Sequence, residues 1–387
     1  MNWSEMLPEI LDIIAKKHNL YHEDYVCFAG VCKSWCLAAV RATNKDHYPN
    51  GLPSHIPCLL LLDEKQGNNW KRYYFFNTEK KEDDDDLQLF CPLNKNIRKI
   101  SLSEGRGRLY ISSGGWLLTI GHENVPKLIN PFSREIIYLP NICTFPESRI
   151  SSNRDDIHFR KLVLVESSLV VVLLYGCRVK LKFCRCKDEK WTSIFDSQDT
   201  MLLDITYHKG HIYNISYDYQ IKACDVSQGN PTTIVTVSTL PEYLYCRSFE
   251  KYIFRAYVIG LKDDNGLLVI IREVALGTTV YNESPYKTTS FRVFKYDLDS
   301  EEWSQVKNLG RKSLFVGYGQ SFSMEEDSKG VIMGNCIYFT DDFEDLSGVG
   351  GGSDMGVYHM SSQTVEQRFH GESHSHFTLP IWIQPAI

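Results

Sequence analysis

The residues of this sequence with the clearest potential for a chemical role are closely spaced cysteines and histidines, because thiolates and imidazoles bind zinc. The two candidate groups are Cys177, Cys184 and Cys186, and His370, His374 and His376. A structural zinc site needs four ligands, usually from two Cys-x-x-Cys-like pairs, and no second pair follows at useful spacing. We therefore interpret Cys184 and Cys186 as strand residues with both thiols on one face, and the histidines as part of a solvated loop.

Other chemical motifs are weak. The acidic run Asp83–Asp86 has no apolar content and is typical of a surface loop, with contact to a basic partner as the alternative. Gly348–Gly352 lacks the strand-loop-helix context and the lysine of a phosphate-binding loop. The sequence contains no Gly-x-Ser-x-Gly, no His-Glu-x-x-His and no convincing pair of carboxylates. We expect no catalysis, no metal and no cofactor.

Composition narrows the class of partner. The chain has 387 residues, 42 Lys plus Arg and 48 Asp plus Glu, which gives a net charge of −6. Scattered basic residues and weak acidity argue against binding to nucleic acid or an anionic membrane. We find neither a signal peptide nor a membrane-spanning run, so we expect the 12 cysteines to be reduced, and the protein to work in the cytosol or nucleus.

The first 45 residues are predicted to be helical. Leu7, Ile10, Leu11 and Ile14 follow the i, i+3, i+4, i+7 pattern of one helix face, and Pro8 is tolerated in the first turn. A second helix is predicted from an Asp24 cap to about Arg41, despite Gly30 in its interior. Its apolar face comprises Phe28, Val31, Cys32, Trp35 and Ala39.

Two short helices cannot bury this much apolar surface against each other. Either they pack on the rest of the chain, or the surplus face binds another protein.

The residues themselves resemble the F-box motif, with Leu7-Pro8 near the start and Val31-Cys32-Lys33-Ser34-Trp35 near the end. The resemblance implies a three-helix module that docks on the Skp-type adaptor of a cullin–RING ubiquitin ligase. Cys27 and Cys36 depart from the pattern, because the family commonly has arginine there. The adaptor-facing residues that the family implies are Leu7, Pro8, Ile10, Leu11, Ile14, Val31, Cys32 and Trp35.

From about residue 55 the pattern changes to short apolar runs separated by polar turns, which predicts an all-β region. Asn265-Gly266 between two such runs predicts a hairpin, because both residues tolerate positive φ. The predicted strands are Leu59–Leu62, Tyr73–Phe76, Leu109–Ser112, Trp116–Ile120, Leu162–Val165, Leu169–Tyr175, His211–Ile215, Leu267–Ile271, Arg292–Tyr296 and Ile337–Thr340.

Two degenerate units recur in this region. Gly followed within three residues by Leu or Ile and then Tyr occurs at Gly107–Tyr110, Gly210–Tyr213 and Gly334–Tyr338. An aromatic strand, a polar turn and a tryptophan occur at Phe183–Trp191 and Phe294–Trp303. The same order of units in both halves favours a β-propeller over a β-sandwich. At about 50 residues per kelch-like blade, we expect about six or seven blades.

Further stretches resemble a plant F-box subfamily whose C-terminal domain is kelch-like and of unknown function. They are Gly114–Leu117, Leu128–Ser133, Leu139-Pro140, Phe294–Leu298 with Trp303, Leu314–Gly317, Gly334–Phe339, Trp382 and Pro385. The resemblance implies an F-box at residues 1–45, a linker at 46–56 and a kelch-like propeller at 57–387. The fold class is thus α plus all-β.

The resulting hypothesis is a substrate receptor: the F-box binds the Skp-type adaptor and through it cullin, and propeller loops recruit an unknown target protein. Tyr243, Tyr245, Tyr286 and Phe343 lie in apparent loops and are candidates for target contact, with packing inside the propeller as the alternative. Two other readings remain open. One is a propeller interaction protein that has lost the ligase, or an eroded F-box member, and the other is a propeller enzyme of the oxidase or lyase kind.

Overall fold

The computed structural model describes residues 6–15, 28, 31–42, 57–61, 87–91, 96–100, 109–120, 125–131, 135–142, 159–165, 168–176, 180–196, 201–226, 233–242, 252–276, 286–327, 330–343, 354–367 and 379–384. The predicted strand Tyr73–Phe76, the acidic run, Gly348–Gly352 and the histidine cluster all lie outside these residues. So do Asp24, Cys27, Gly30 and Cys177.

Two helices whose bounds fall within the described residues lie near the N-terminus, α1 (Pro8–Ala15) and α2 (Lys33–Ala42). The predicted second helix, from an Asp24 cap to about Arg41, is wrong as one continuous helix, because Phe28 is helical but Val31 lies in a turn and α2 begins only at Lys33. The Cys32 carbonyl accepts the Cys36 amide at 2.9 Å and so forms the first bond of α2. The three-helix arrangement stays a prediction. No helix among the described residues is long and apolar enough to cross a membrane.

The rest of the described chain is β. The strands are β1 (Cys58–Leu61), β2 (Leu87–Cys91), β3 (Asn96–Ile100), β4 (Leu109–Ser113), β5 (Trp116–Ile120), β6 (Pro126–Ile129), β7 (Ile136–Tyr138), β8 (Phe159–Val165), β9 (Val170–Tyr175), β10 (Lys180–Arg185), β11 (Thr192–Asp196), β12 (Leu202–His208), β13 (His211–Ser216), β14 (Gln220–Asp225), β15 (Thr233–Thr239), β16 (Tyr252–Gly260), β17 (Gly266–Leu276), β18 (Tyr286–Asp297), β19 (Trp303–Val306), β20 (Lys312–Val316), β21 (Phe322–Glu325), β22 (Cys336–Phe339), β23 (Gly356–His359), β24 (Thr364–Gln367) and β25 (Ile381–Ile383).

The described strands form five sheets with a mostly up-and-down order. Three have four strands, in the orders β25-β1-β2-β3, β4-β5-β6-β7 and β16-β17-β18-β19. One has five, β21-β20-β22-β23-β24, and one has eight, β12-β13-β14-β15-β11-β10-β9-β8. Consecutive antiparallel strands linked by turns account for most of this order. The number of blades, expected to be six or seven, stays a prediction.

The sheets pack face to face in sequence. Along β9, Val171 and Leu173 belong to one core cluster, whereas Val172 and Leu174 belong to the next. Successive side chains of a strand point to opposite faces, so both faces of this sheet are covered. This explains why β9 is an unbroken apolar run, Val-Val-Val-Leu-Leu-Tyr, with all six residues buried. Sheets stacked on both sides in this way form the propeller that the sequence predicts.

The tryptophan units show how neighbouring sheets are joined. Both span a hairpin between the third and fourth strands of a four-strand run, β10–β11 and β18–β19. Trp191 Nε1 donates to the Pro140 carbonyl at 2.7 Å, and Trp303 Nε1 donates to Ser238 Oγ at 2.9 Å. Each acceptor lies at or just past the fourth strand of the preceding run. The repeated tryptophan therefore fastens each run to its predecessor.

The predicted hairpin at Asn265-Gly266 forms between β16 and β17, but not for the expected reason. Its loop covers residues 261–265, and neither Asn265 nor Gly266 has positive φ. A Cβ at Gly266 would lie 2.7 Å from Lys295 Cε, so a larger residue there would displace the end of the Lys295 side chain. Asn265 ties the loop to the next hairpin by donating to Asp299 Oδ1 at 2.6 Å.

Candidate functional site

The two helices have a small apolar core of their own. Leu11 and Ala15 of α1 pack with Phe28, Ala38 and Ala39, all buried. The Phe28 and Trp35 rings lie 4.5 Å apart, and Met6, Ile14 and Trp35 cover the edge of this core. Arg41 Nε and Nη2 both donate to Asp12 Oδ1, at 3.1 and 2.7 Å, and this ion pair links the two helices. We call residues 6–15, 28 and 31–42 the helical module.

The apolar face of α1 is wider than this core can cover. Leu11 is 0% exposed, Ile14 is half-buried, Ile10 is 44% exposed and Ile13 is 69% exposed. Because each residue advances about 100° around the helix axis, these four side chains lie side by side in the order Leu11, Ile14, Ile10 and Ile13. Exposure thus rises steadily from the core side to the outer side of one continuous apolar arc.

Exposed apolar side chains are concentrated in the helical module. Among the described residues, eleven large hydrophobic side chains are exposed, and five of them belong to this short module. These five are Leu7, Ile10, Ile13, Val31 and Leu37. The other six are spread over the much larger propeller. Concentration of this kind marks a protein interaction surface, whereas scattered single residues need no explanation.

The predicted adaptor-facing residues divide into three groups in the structure. Leu7, Pro8, Ile10 and Val31 are exposed, and Ile14, Cys32 and Trp35 are partly buried. Leu11 is fully buried in the module core, so its side chain supports the fold of the module. Sequence reasoning missed Ile13 and Leu37, because both lie off the faces chosen by periodicity. The sequence indicates them only as apolar residues that lie beside the helix faces assigned from periodicity.

Cys36, which stands where the family commonly has arginine, is exposed on α2. An arginine at this position could therefore reach a partner without being buried in the module. The second departure, Cys27, lies outside the described residues.

Two of the four aromatic candidates for target contact, Tyr286 and Phe343, are core residues, as the alternative of packing inside the propeller predicts. Tyr286 is 0% exposed at the start of β18, and its hydroxyl donates to both Asp341 oxygens, at 2.7 and 2.9 Å. Burial and the Asp341 carboxylate raise the pKa of Tyr286, which keeps this phenol a donor. Phe343 is 1% exposed and packs 5.1 Å from the Tyr286 ring. Tyr243 and Tyr245 lie outside the described residues.

Those two aromatics border a buried ionic network around Arg272 of β17. Its guanidinium donates to Thr288 Oγ1 at 2.8 Å and to the Thr340 carbonyl at 2.8 Å. It also donates to Asp342 Oδ1 at 3.1 Å and to Asp354 Oδ2 at 3.0 Å. Arg272 is 0% exposed, so one side chain holds together β17, β18 and the ends of β22 and β23.

A second buried pair lies where the first strands of the sheets meet. Lys161 of β8 lies 3.3 Å from Asp204 of β12, with both side chains buried. Burial raises the pKa of the Asp204 carboxyl, against the lowering effects of the Lys161 ammonium and of the Ser321 hydroxyl. The Val258 amide of β16 donates to the same carboxylate at 3.1 Å. The pair therefore joins three neighbouring runs of strands.

The candidate zinc cysteines lie on the same side of their sheet. Cys184 is buried in β10, and burial raises the pKa of its thiol far above the ordinary value. Cys186 lies one residue beyond the end of β10, which corrects its assignment to the strand, and its thiol donates to the Leu169 carbonyl at 3.4 Å. In the part of the chain that the structure describes, no three His, Cys, Asp or Glu residues are grouped to hold a metal.

Comparison with known proteins supports the sequence resemblance. A family model described as the KIB1-4 beta-propeller matches residues 88–359. A putative F-box protein of Arabidopsis thaliana is 23% identical over 403 aligned residues, covering 100% of this chain and 97% of that protein. The F-box/kelch-repeat protein KIB1 of Arabidopsis thaliana is 24% identical, covering 70% of this chain and 66% of that protein.

A further F-box protein of Arabidopsis thaliana is 23% identical, with 60% of each chain covered. Among solved structures, an oligogalacturonate lyase in complex with manganese is 11% identical and aligns with a TM-score of 0.37, over 73% of this chain and 69% of that one. That likeness is too low to bear on fold or function.

Proposed function

Because the chain belongs to the KIB1-4 beta-propeller family and is a plant F-box family member, we propose that it is the substrate receptor of an SCF-type ubiquitin ligase. The helical module binds the Skp-type adaptor and through it cullin, and the propeller recruits a target protein. The chain itself performs no chemistry. It raises the effective concentration of target lysines near the ubiquitin-charged enzyme. We place this activity in the cytosol or nucleus.

The observation that carries the proposal is the exposed apolar surface of the module. Burying a whole Leu, Ile or Val side chain contributes about 1.5–3 kcal/mol. Leu7, Ile10, Ile13 and Val31 are each roughly half exposed or more, so covering them supplies about 3–6 kcal/mol. This gain acts against the entropy cost of association, which is at least about 4 kcal/mol, so the apolar surface favours binding without setting the affinity.

We also infer the finer architecture that this function uses, a propeller of six blades. The eight-stranded sheet consists of two antiparallel runs, β8–β11 and β12–β15, joined only by Phe195–Thr233 and Asp196–Ile234. Counting each run as a blade turns five sheets into six blades. The F-box at residues 1–45 with three helices, the linker at 46–56 and the propeller at 57–387 remain our proposed boundaries. Residues 43–56 lie outside the described residues.

The test is a pull-down of a purified plant Skp-type adaptor with Ile10→Asp protein. A charge at Ile10, 44% exposed in α1, is expected to lower adaptor binding at least about tenfold, because it must be desolvated in an apolar interface. Leu169→Asp is the matched control, since Leu169 is 43% exposed on the propeller and this change leaves the module intact. Equal binding by both variants and wild type would refute the adaptor site.

The alternative is a propeller interaction protein that has lost the ligase, and the exposed Cys36 favours it. Cys36→Arg restores the family's usual residue and leaves the module core untouched. If wild-type protein does not bind adaptor but Cys36→Arg does, this member has lost the ligase by erosion of its F-box. If both bind, the departure at Cys36 is tolerated.

A further inference from the structure

One loop of the propeller contacts strands of several different runs. Between β20 and β21 the chain runs as Gly317-Tyr318-Gly319-Gln320-Ser321, which we call the strap. Its residues touch the first strands of several different runs at once. Since those strands surround the middle of the ring, a segment in contact with several of them lies at the centre.

The strap is bonded to four strands. On β8, Lys161 Nζ donates to the carbonyls of Gly317 and Gly319, the latter at 2.9 Å. On β12, Asp204 Oδ2 accepts from Ser321 Oγ at 2.8 Å. On β4, the Ser112 carbonyl accepts from the Gln320 amide at 3.0 Å. On β25, Ile381 forms a parallel bridge with Tyr318.

Two glycines allow the strap to pass so close to its neighbours. Gly317 and Gly319 have φ of 144° and 97°, where other residues are strained. A Cβ on Gly317 would overlap Thr340 Oγ1, and one on Gly319 would lie 2.7 Å from Ser112 Oγ. The close passage is therefore built into the sequence of the strap.

The ring of sheets closes near the strap. Its first and last strands, β1 and β25, pair over only three residues, Cys58 with Ile383, Leu59 with Trp382 and Leu60 with Ile381. Two of these β25 residues are also held from the centre. Ile381 bridges to Tyr318, and the Trp382 carbonyl accepts from Ser112 Oγ at 2.6 Å.

We propose that the strap is a central clamp that keeps the propeller ring closed at the β25–β1 junction. Lys161 is the positioning residue of this clamp, because its ammonium holds two strap carbonyls and the Asp204 carboxylate together. Loss of the clamp separates β25 from β1 in the sheet that they share, while the other sheets stay folded. This inference does not depend on adaptor binding or on any target.

The experiment measures how fast N-ethylmaleimide labels individual cysteines in native full-length protein, read by site-resolved mass spectrometry. Cys58 lies in β1 at the junction and Cys224 lies in β14 away from it, and each is 2% exposed. Lys161→Met is expected to raise the labelling rate of Cys58 at least about tenfold over wild type, and that of Cys224 by less than about twofold. Taking each rate relative to wild type removes differences in intrinsic thiol reactivity.

Lys182→Met is the matched control, because Lys182 is also buried but donates to Ser193 on the next strand of its own sheet. It is expected to leave the Cys58 rate close to that of wild type. Should Lys161→Met not give soluble protein, Gln320→Ala removes a strap side chain that accepts from Ser113 Oγ at 2.8 Å, and the same selective labelling is expected. An unchanged Cys58 rate, or an equal rise at Cys58 and Cys224, would overturn the clamp.

Discussion

Replacing Arg272 with methionine is expected to lower the free energy of unfolding of the propeller by about 3–5 kcal/mol, the usual cost of removing one partner of a buried ion pair. Methionine fills a similar volume without a charge. Arg272 is 0% exposed, and Asp342 and Asp354 lie 3.1 and 3.0 Å from its guanidinium. The variant leaves both carboxylates buried without their counter-charge.

The magnitude follows from what the arginine satisfies. Besides the two carboxylates, it donates to Thr288 Oγ1 and to the carbonyls of Thr340 and Asp354. Each buried acceptor left unpaired costs about 1–3 kcal/mol, more when it is charged. Asp354 also accepts from the Thr288 amide and hydroxyl, so its carboxylate stays partly solvated by the protein. That retained bonding keeps the expected loss below the sum of the separate costs.

The assay is equilibrium unfolding in urea, followed by tryptophan fluorescence and extrapolated to water. Arg292→Met is the control on the neighbouring strand, because the pair of Arg292 with Glu273 is partly exposed, at 25% and 32% for the two side chains. We expect that control to lose less than about 1 kcal/mol. Adding Asp354→Asn to Arg272→Met should recover part of the loss. A loss below about 1 kcal/mol in Arg272→Met would refute the argument.

Three further predictions concern single contacts. Trp191→Phe leaves the Pro140 carbonyl without its donor and should lower the free energy of unfolding by about 1–3 kcal/mol in the same urea assay. Gly319→Ala should lower it by at least about 1–3 kcal/mol, because a strained φ and a Cβ 2.7 Å from Ser112 Oγ both act against it. Burial raises the pKa of Asp341 above 3.8, so the folded protein binds this proton more tightly than the unfolded chain. Protonation of Asp341 therefore increases the free energy of unfolding as the pH falls from the raised pKa towards 3.8. Urea titrations at several pH values should show this increase in wild type and not in Asp341→Asn.

Each of these three predictions has a control variant or an outcome that would contradict it. For Gly319, the control is Gly310→Ala, whose φ is also positive, at 62°, but whose Cβ would meet nothing within 4 Å. Equal losses for the two glycines would mean that strain alone matters and that the strap is not tightly packed. For Trp191, Trp303→Phe should give a similar loss, since its indole makes the equivalent bond to Ser238. An identical pH profile for wild type and Asp341→Asn would contradict the raised pKa.

The propeller could be predicted from the sequence because its signals are local. Phe183–Trp191 and Phe294–Trp303 each encode a hairpin and the tryptophan that fastens it to the preceding run, all within about ten residues. Runs such as Val170–Tyr175 follow from burial on both faces of a sheet. Register and turn geometry were less accessible, as the hairpin loop at residues 261–265 shows.

Contacts between residues far apart in the chain explain two features that the sequence did not reveal. Tyr286 seemed a loop residue, but Asp341, 55 positions away, makes it part of the core. The strap was missed altogether, although Gly317 and Gly319 mark it, because its hydrogen-bond partners on β4, β8 and β12 lie at least 117 residues away in the chain. In the helical module the apolar residues were found, but periodicity could not tell buried Leu11 from exposed Ile10.

The contacts of the strap with distant strands stabilise a propeller whose repeats are irregular. When each run of strands contacts only its neighbours, stability is roughly a sum of local interfaces, and one weak interface opens the ring. Here the repeats are irregular and the closing junction pairs only three residues on each side. A strap that bonds to β4, β8, β12 and β25 at once makes opening the junction cost contacts in four places. The ring can then tolerate variation in its outer strands and loops.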